Sequence, residues 1–583
     1  MQTFLNNYQI PGATFAIAKN GKLVYMRAFG TANKAGTEAT QPYHMFRIAS
    51  VSKPITSIAI MKLIENGQLS LSDKVFGPGG ILNADPYFAN ANVTDQRIYN
   101  ITIQHLLEHS AGWNRNLPMP QNPLPPYPWG YGFSDPIAFP LHVTQTLGEP
   151  NPVTERALIK FLIQKGLDFA PGTASNYSNI GYLVLGEVIE KKTGMSYENY
   201  VKQNIFAPLG IYDIRLGKNL LADKQEREVE YITSPTNTSL SVYGTGEYLP
   251  LQYGGENIEA MDAHGGWIAT ARDLVRLLTA VDAFPTRPDI LSPSTIQIMT
   301  TPSAVSPGYA KGWQVNPSGM WSHGGALAGV RSMIFRTGNQ YTWAILLNGQ
   351  SAGSGFAGAL TSLGFNCVNS TTAFPTHDLF DVPTQNASAM NFSNITSNSI
   401  TVNWTNGKGD GRVLVMRAGS APNKFPLDGT EYTVNPENPQ VDLGDGNRVV
   451  YSGAGNSATL SNLNSNTNYQ FRLYEYKKNA NTGNYVLYQL ANPASGSQNT
   501  LSTTAQTTTR FDFDGDSKAD VSVFRNGNWY IQGSTSGFSG RNWGLATDVL
   551  APADFDGDGK TDVSVFRDGN WYWINSSTNQ FNA

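Results

Sequence analysis

Strand-forming segments stand at the two ends of the first 370 or so residues, and helix-forming segments fill the span between them. Residues 13–30 alternate apolar and polar positions on either side of Asn20-Gly21, a dipeptide suited to a two-residue hairpin turn because both central positions take positive φ. Residues 330–348 repeat the pattern around Thr337-Gly338-Asn339. Between them, residues 51–66 and 180–192 space their apolar side chains at helical intervals. Such a chain closes by pairing its ends in one antiparallel sheet flanked by helices, with a helical region inserted, which is an α+β fold.

At 583 residues the chain exceeds what one hydrophobic core supports, and its character changes past residue 370. We read residues 1–370 as the first domain. Residues 371–390 carry turn formers with little periodicity and read as a linker. Residues 391–503 alternate like strands throughout. There Ile400-Thr401-Val402-Asn403-Trp404 sets a Trp on an early strand, and Leu463, Thr467 and Tyr469 precede Gln470-Phe471-Arg472-Leu473-Tyr474. The segment resembles a fibronectin type III module, a β-sandwich in which Tyr469 would supply the tyrosine corner.

Residues 510–583 repeat themselves. Asp512-Phe-Asp514-Gly-Asp516-Ser-Lys-Ala-Asp520-Val-Ser-Val-Phe-Arg returns 42 residues later around Asp554, Asp556, Asp558 and Asp562, and each copy runs on into Gly-Asn-Trp-Tyr. The interval is a propeller-blade length. Carboxylates at loop positions one, three, five and nine offer the oxygen ligands that a hard cation takes. The repeat resembles the calcium-binding FG-GAP/VCBS type, which implies a structural Ca2+ held by these eight aspartates; Asp-rich turns without metal are the alternative. A propeller needs at least about four blades, so the repeats are expected to be incomplete or to form a small appendage. Both C-terminal modules are thus expected to be all-β.

Composition narrows the partners. Hydrophobic residues make up 40% and charged residues 14%, with a formal net charge of −4 and no basic run, so nucleic acid is not an expected partner. No apolar stretch approaches the ~18–20 residues that cross a bilayer. Cys367 stands alone, which excludes an intrachain disulfide and a cysteine-ligated zinc. Residues 1–20 lack a charged and apolar leader, and the expectation is a mature chain whose signal peptide was removed or never included. The calcium loops place it outside the cytoplasm, extracellular or periplasmic, because weak aspartate loops fill at millimolar calcium.

The chemistry gathers in the first domain. Ser50-Val51-Ser52-Lys53 opens a helix through Ile55, Ile58, Met61, Leu63 and Ile64, so Ser50 and Lys53 share one face. A serine hydroxyl needs a neighbour to take its proton, and a desolvated lysine can do so when neutral. Alone, this spacing also describes a capped surface helix. Two further segments alter the weighing: Ala174-Ser175-Asn176-Tyr177-Ser178-Asn179, ahead of an apolar helix, and Trp321-Ser322-His323-Gly324-Gly325-Ala326, ahead of the terminal strands. In order and spacing the three resemble the Ser-x-x-Lys, Tyr-x-Asn and Lys/His-x-Gly motifs of class C β-lactamases, DD-peptidases and related family VIII esterases, of the penicillin-binding-protein fold. His105 to Gly112, Gly265 to Thr270 with Asp273, and Tyr309 to Trp313 support the match.

The resemblance implies roles. Ser50 would attack a carbonyl, and Lys53 with Tyr177 would shuttle the proton, Tyr177 having its pKa lowered by the ammonium. Asn179 would hold Lys53 and the substrate's amide. The N–H groups of Ser50 and Ala326 would form the oxyanion hole, Gly324 and Gly325 would let the strand edge approach the substrate, and His323 would face the substrate's far end or support Tyr177. No cofactor is implied for catalysis, and the partner is a small-molecule or peptide substrate. Because His323 stands where β-lactamases carry a permanently charged Lys, the expected activity is amide or peptide cleavage of the DD-peptidase or D-aminopeptidase kind, or carboxylic-ester cleavage. A carboxylesterase with weak or no β-lactamase activity is the alternative, a class C β-lactamase ranks third, and a non-catalytic penicillin-binding-like protein ranks last.

Three features stay open at this level. His105-Leu-Leu-Glu108-His109 also fits an inverted zinc-peptidase motif, although Ser110-Ala-Gly112 breaks the helix at once. The Pro- and aromatic-rich stretch between Trp113 and Glu149 reads either as a stiff lid over an apolar pocket or as a structural surface loop. Asn176-Tyr177-Ser178 is a glycosylation acceptor on the catalytic motif, where a glycan would block the site, which favours a bacterial origin. The C-terminal modules are candidates for polysaccharide or cell-surface contact.

Overall fold

The two ends of the first domain meet in one sheet. A computed structural model describes residues 1–117, 135–351, 353, 355–434, 440–483, 485–502 and 509–583. Strands β1 (Gly12–Lys19) and β2 (Lys22–Gly30) form the expected hairpin, with Asn20 and Gly21 at φ 52° and 74°. Helix α1 (Ser52–Glu65) and, across the domain, helix α2 (Asn179–Thr193) follow. The chain then returns through β3 (Gln314–Val315), β4 (Trp321–Leu327), β5 (Val330–Arg336) and β6 (Tyr341–Leu347). The sheet order is β2-β1-β6-β5-β4-β3, so β1 lies antiparallel beside β6 with Ala13 opposite Leu347 and Lys19 opposite Tyr341.

Strand alternation divides this sheet between two cores. Ala16, Ala18, Ala344 and Leu346 face the large cluster built by the helical region, whereas Phe15, Ile17, Trp343 and Ile345 face a second cluster with Phe4, Leu5, Phe356 and Leu360. The latter come from the helices Gln2–Tyr8 and α3 (Phe356–Ser370), which cover the outer face. Small alanines on the inner face let helices approach closely, and the large aromatics fill the outer layer. Helix α1 is buried around nearly its whole circumference, which is why its sequence is apolar on every side rather than along one stripe.

The segment read as a linker has no helix or strand until Ser388, yet it is fastened along its length. The Leu23 N–H donates to Asp378 Oδ1 at 3.1 Å, and the Leu379 N–H donates to the Leu23 carbonyl at 2.9 Å. Asp378 also pairs with Arg287, and Arg276 donates to the Phe380 carbonyl. Leu379, Phe380 and Val382 are buried in the same cluster as the helical region. The polar turn residues that made the stretch look like a tether are those that satisfy its backbone and the edge of β2.

Beyond it lie all-β sheets. One six-stranded sheet runs 441–444, 447–453, 411–418, 468–477 and 487–488, with 494–499 pairing on 468–477, and a three-stranded sheet runs 388–393, 400–405 and 457–460. The Tyr469 hydroxyl accepts the Asn464 N–H at 2.9 Å. By contact density the chain divides into a unit of residues 1–391, 402–458 and 470–497 and a unit of residues 392–401, 459–469 and 498–583. In the latter, the first Asp-rich repeat forms β7 (Val521–Arg525), β8 (Asn528–Gly533) and β9 (Gly537–Asn542). The second forms β10 (Val549–Leu550), β11 (Val563–Arg567), β12 (Asn570–Ile574) and β13 (Phe581–Asn582). They make separate antiparallel sheets of three and four strands. None of the described helices is long and apolar enough to cross a membrane.

Candidate active site

Ser50 sits on a single 3-10 turn, Ala49–Val51, that leads directly into α1. Ala49 holds φ at 50°, a left-handed conformation that costs a residue with a Cβ about 1 kcal/mol and that only surrounding contacts can maintain. Those contacts are present. The Ile48 N–H donates to the Trp267 carbonyl at 3.0 Å, and the Ile48 carbonyl accepts from Ser332 Oγ at 2.6 Å. Strand β4 lies against the turn at Gly325, where an added Cβ would stand 2.3 Å from the Ile48 oxygen and 3.0 Å from the Ala49 Cβ. A glycine is required there by close approach.

Lys53 lies one turn further on and has no solvent exposure. Its Nζ is 3.1 Å from Ser50 Oγ, 2.8 Å from Asn179 Oδ1 and 3.0 Å from the His264 carbonyl. These three acceptors match the three protons of an ammonium. A neutral amine keeps two protons for Asn179 and His264 and turns its lone pair toward Ser50. Burial pushes the Lys53 pKa well below its ordinary value, the nearby Arg115 guanidinium lowers it further, and Asp135 opposes both. The geometry therefore stores a base beside the hydroxyl.

Tyr177 reaches the same hydroxyl from α2's leading loop, in hydrogen-bond contact with Ser50, and Lys53 Nζ lies 4.8 Å from its ring centroid. Here one expectation is overturned. Enclosure raises the phenol's pKa above its ordinary value instead of the ammonium lowering it, because desolvation outweighs the contact with Ser50 and the field of Arg115. Tyr177 is thus a neutral phenol that can donate, with Lys53 the softer proton site. Asn179, at the first turn of α2, spans the two sides of the site: its Oδ1 accepts from Lys53 and its Nδ2 donates to Asp135 Oδ2 at 2.7 Å. The bond to Asp135 uses one of the two Nδ2 hydrogens, which leaves the second for the expected contact with a substrate amide.

His323 on β4 is 2% exposed, with Nε2 3.0 Å from the Tyr309 hydroxyl and Nδ1 2.8 Å from the Gly324 carbonyl oxygen. Burial and Lys53 push its pKa down to about 3, so the ring is neutral at ordinary pH. Its ring centroid lies 6.4 Å from that of Tyr177, and His109 packs between Tyr177 and Tyr309 at 4.3 and 4.5 Å. The residues of the zinc-peptidase pattern are engaged separately. The helix stops at Leu107, His105 Nδ1 accepts the Thr102 N–H, Glu108 pairs with Lys311 at 2.6 Å, and His109 Nδ1 accepts the Ser178 N–H. These three contacts direct the residues of the motif to different neighbours.

Ser50, Tyr177, His323, Gly324, Gly325 and Ala326 line one cavity of about 610 Å3, together with Arg115 and Arg331. Lys53 and Asn179 stand behind this wall. Sequence reading missed Asp135 and Arg115, which carry the charge around Lys53. They bracket the Pro-rich stretch, and their only signal was that two charges flank an otherwise apolar insertion. Of that stretch, residues 118–134 lie outside the described residues, so the lid reading falls largely there; Pro140–Leu147, within the span read as loop, is a helix capped by Gly148.

In the repeats, carboxylate oxygens of Asp512, Asp514 and Asp520 come within 4.8 Å of one another, as do those of Asp554, Asp556 and Asp558. Asp514 Oδ1 is buried without a hydrogen-bond partner, and a carboxylate oxygen in that state suits a hard cation. Asp516 and Asp562, expected in the same sets, lie outside these trios: Asp516 accepts from the Ser534 and Thr535 hydroxyls, and Asp562 accepts the Phe555 and Ser576 N–H groups at 2.7 and 2.6 Å.

Comparison with known proteins follows the same outline. The chain is 30% identical over 226 residues to penicillin-binding protein 4* of Bacillus subtilis (strain 168), taking in 38% of this chain and 42% of that relative. It is 27% identical over 220 residues to esterase EstB of Burkholderia gladioli, taking in 36% of this chain and 48% of the relative. The chain thus spans less than half the length of these two proteins. Among solved structures, D-amino acid amidase from Ochrobactrum anthropi SV3 in complex with L-phenylalanine amide matches at a TM-score of 0.46 and 18% identity, covering 63% of this chain and 97% of that one. The family model described as Beta-lactamase matches residues 1–362, the span that holds Ser50, Lys53, Tyr177 and His323, and the chain belongs to that family.

Proposed function

We propose that residues 1–370 form a serine hydrolase that cleaves an amide, peptide or carboxylic ester through an acyl-enzyme on Ser50. The observation that carries this reading is the sealed Lys53 amine, 3.1 Å from Ser50 Oγ with its pKa depressed. In the proposed sequence, neutral Lys53 takes the Ser50 proton as Oγ bonds to the substrate carbonyl carbon. The N–H groups of Ser50 and Ala326 receive the oxyanion, where loss of one donor typically costs about 3 kcal/mol. Neutral Tyr177 gives its proton to the departing amine or alcohol and regains one from Lys53. Water then attacks the acyl ester by the reverse path and frees Ser50. His323, neutral and tied to Tyr309, shapes the cavity, and the permanent cations available there to a substrate carboxylate are Arg115 and Arg331.

The test is mass spectrometry after treatment with a fluorophosphonate. One adduct on the peptide holding Ser50, absent in Ser50→Ala, is the expected result; labelling that persists in Ser50→Ala sinks the reading. Rates on D-amino-acid amides against short-chain nitrophenyl esters then separate the two substrate classes. For the repeats we propose structural Ca2+ on the two aspartate trios. Chelation is expected to lower the melting temperature of residues 510–583 and calcium to restore it, with Ser50 labelling unchanged.

A further inference from the structure

The two Asp-rich repeats stack on each other through unlike faces. Register sets Phe524 opposite Trp529 and Ser522 opposite Ile531, so these four residues share one face of the first repeat. In the second repeat Val565 stands opposite Tyr572 and Val563 opposite Ile574. Trp529, Ile531, Val563 and Val565 are all buried in one cluster, ringed by Phe513, Phe524, Trp543 and Tyr572. The contact therefore joins the Trp-bearing face of the first repeat to the Val-bearing face of the second.

Because the sequence recurs at 42 residues, each repeat carries both kinds of face, and one of each remains open. On the first repeat, Val521 and Val523 occupy the positions of Val563 and Val565, but they are 71% and 53% exposed. Tyr530, in the place of Tyr572, stacks on the exposed Phe538 at 6.5 Å and extends this bare surface. On the second repeat, Trp571 stands where Trp529 does and is 47% exposed. Phe555, in the place of Phe513, stacks on Trp573 at 5.1 Å beside it. Apolar faces of this kind are uncommon on a surface that has no partner. Each open face is the counterpart of a surface already buried between the repeats.

We propose that the Val521/Val523 face of one copy of this chain seats on the Trp571/Phe555 face of a second copy, repeating between molecules the contact made within one. The joined surfaces differ, so the association is head-to-tail and adds chains in one direction instead of closing as a two-fold dimer.

Sedimentation of the full chain across a concentration series, in calcium-containing buffer, tests this. The average mass is expected to rise with concentration beyond two chains. Val523→Asp and Trp571→Asp each spoil one face and are each expected to stay monomeric alone. Mixed in equal amounts they retain one good face each, and the expected product is a complex of two chains that grows no further. Should an aspartate variant lose its fold by circular dichroism, Val523→Thr and Trp571→Ser replace it. A wild-type chain that stays monomeric to its solubility limit overturns the proposal. So does assembly that survives either variant, or a mixture that stays monomeric while the wild type assembles.

Discussion

Charge around a single amine governs the chemistry proposed for the site. Burial lowers the Lys53 pKa most, Arg115 lowers it further and Asp135 raises it. Lys53 acts as a base only when neutral, so the acid limb of kcat/KM should report its pKa, with activity rising as pH rises through it. Removing the carboxylate in Asp135→Asn lowers that pKa, and the limb is expected to move to more acidic pH. Removing the guanidinium in Arg115→Met is expected to move it the other way. The opposed signs, read from pH–rate profiles of the two variants, separate an electrostatic role from simple damage. His323, its pKa pushed down to about 3, is neutral at ordinary pH, so His323→Asn removes no charge there and is expected to change the height of the profile without moving the limb.

At the scale of elements, the strand that lines the cavity and the turn that holds Ser50 are kept together by the lack of one methyl group. In Gly325→Ala the new Cβ would meet the Ile48 oxygen and the Ser332 Oγ, each at 2.3 Å, so β4 or the Ser50 turn must shift. Overpacking of this kind costs about 1–3 kcal/mol. We expect that loss in urea unfolding, together with a fall in the rate of fluorophosphonate labelling of at least about 100-fold, since a backbone donor moves off the oxyanion position. Much of this level was legible in the sequence. The hairpin at Asn20-Gly21, the helix after Ser50 and the terminal strands are local patterns, and the sequence places them within a residue or two. The glycine pair reads in the sequence as an approach of the strand edge to the substrate, whereas at Gly325 the close neighbour is the turn that holds Ser50. The charges of Asp135 and Arg115 were not legible, because their partners are distant in sequence and no spacing rule links them. The direction of the Tyr177 shift was missed for a related reason: motif residues name a neighbour, whereas desolvation depends on everything that encloses the ring.

Over the whole molecule, the segment after residue 370 belongs to the first domain more closely than its composition suggested. Turn-rich sequence marks a tether only when its backbone is left to water, and here the edge of β2 and two arginines take it up. Burying Leu379, Phe380 and Val382 is worth about 1.5–3 kcal/mol per side chain relative to exposure. A chain ended after Ser370 is therefore expected to melt several degrees below one ended after Thr384, in thermal unfolding followed by circular dichroism, with Ser50 labelling retained in the longer form.

That fastening also fixes where such a protein can be recombined. A cassette joined at residue 371 would strip the enzyme of the strip of chain that shields its own edge strand, and Arg276 and Arg287 would each lose a partner there. Any lineage or engineer that exchanges the downstream modules must therefore carry the clasp, through Val382, along with the enzyme.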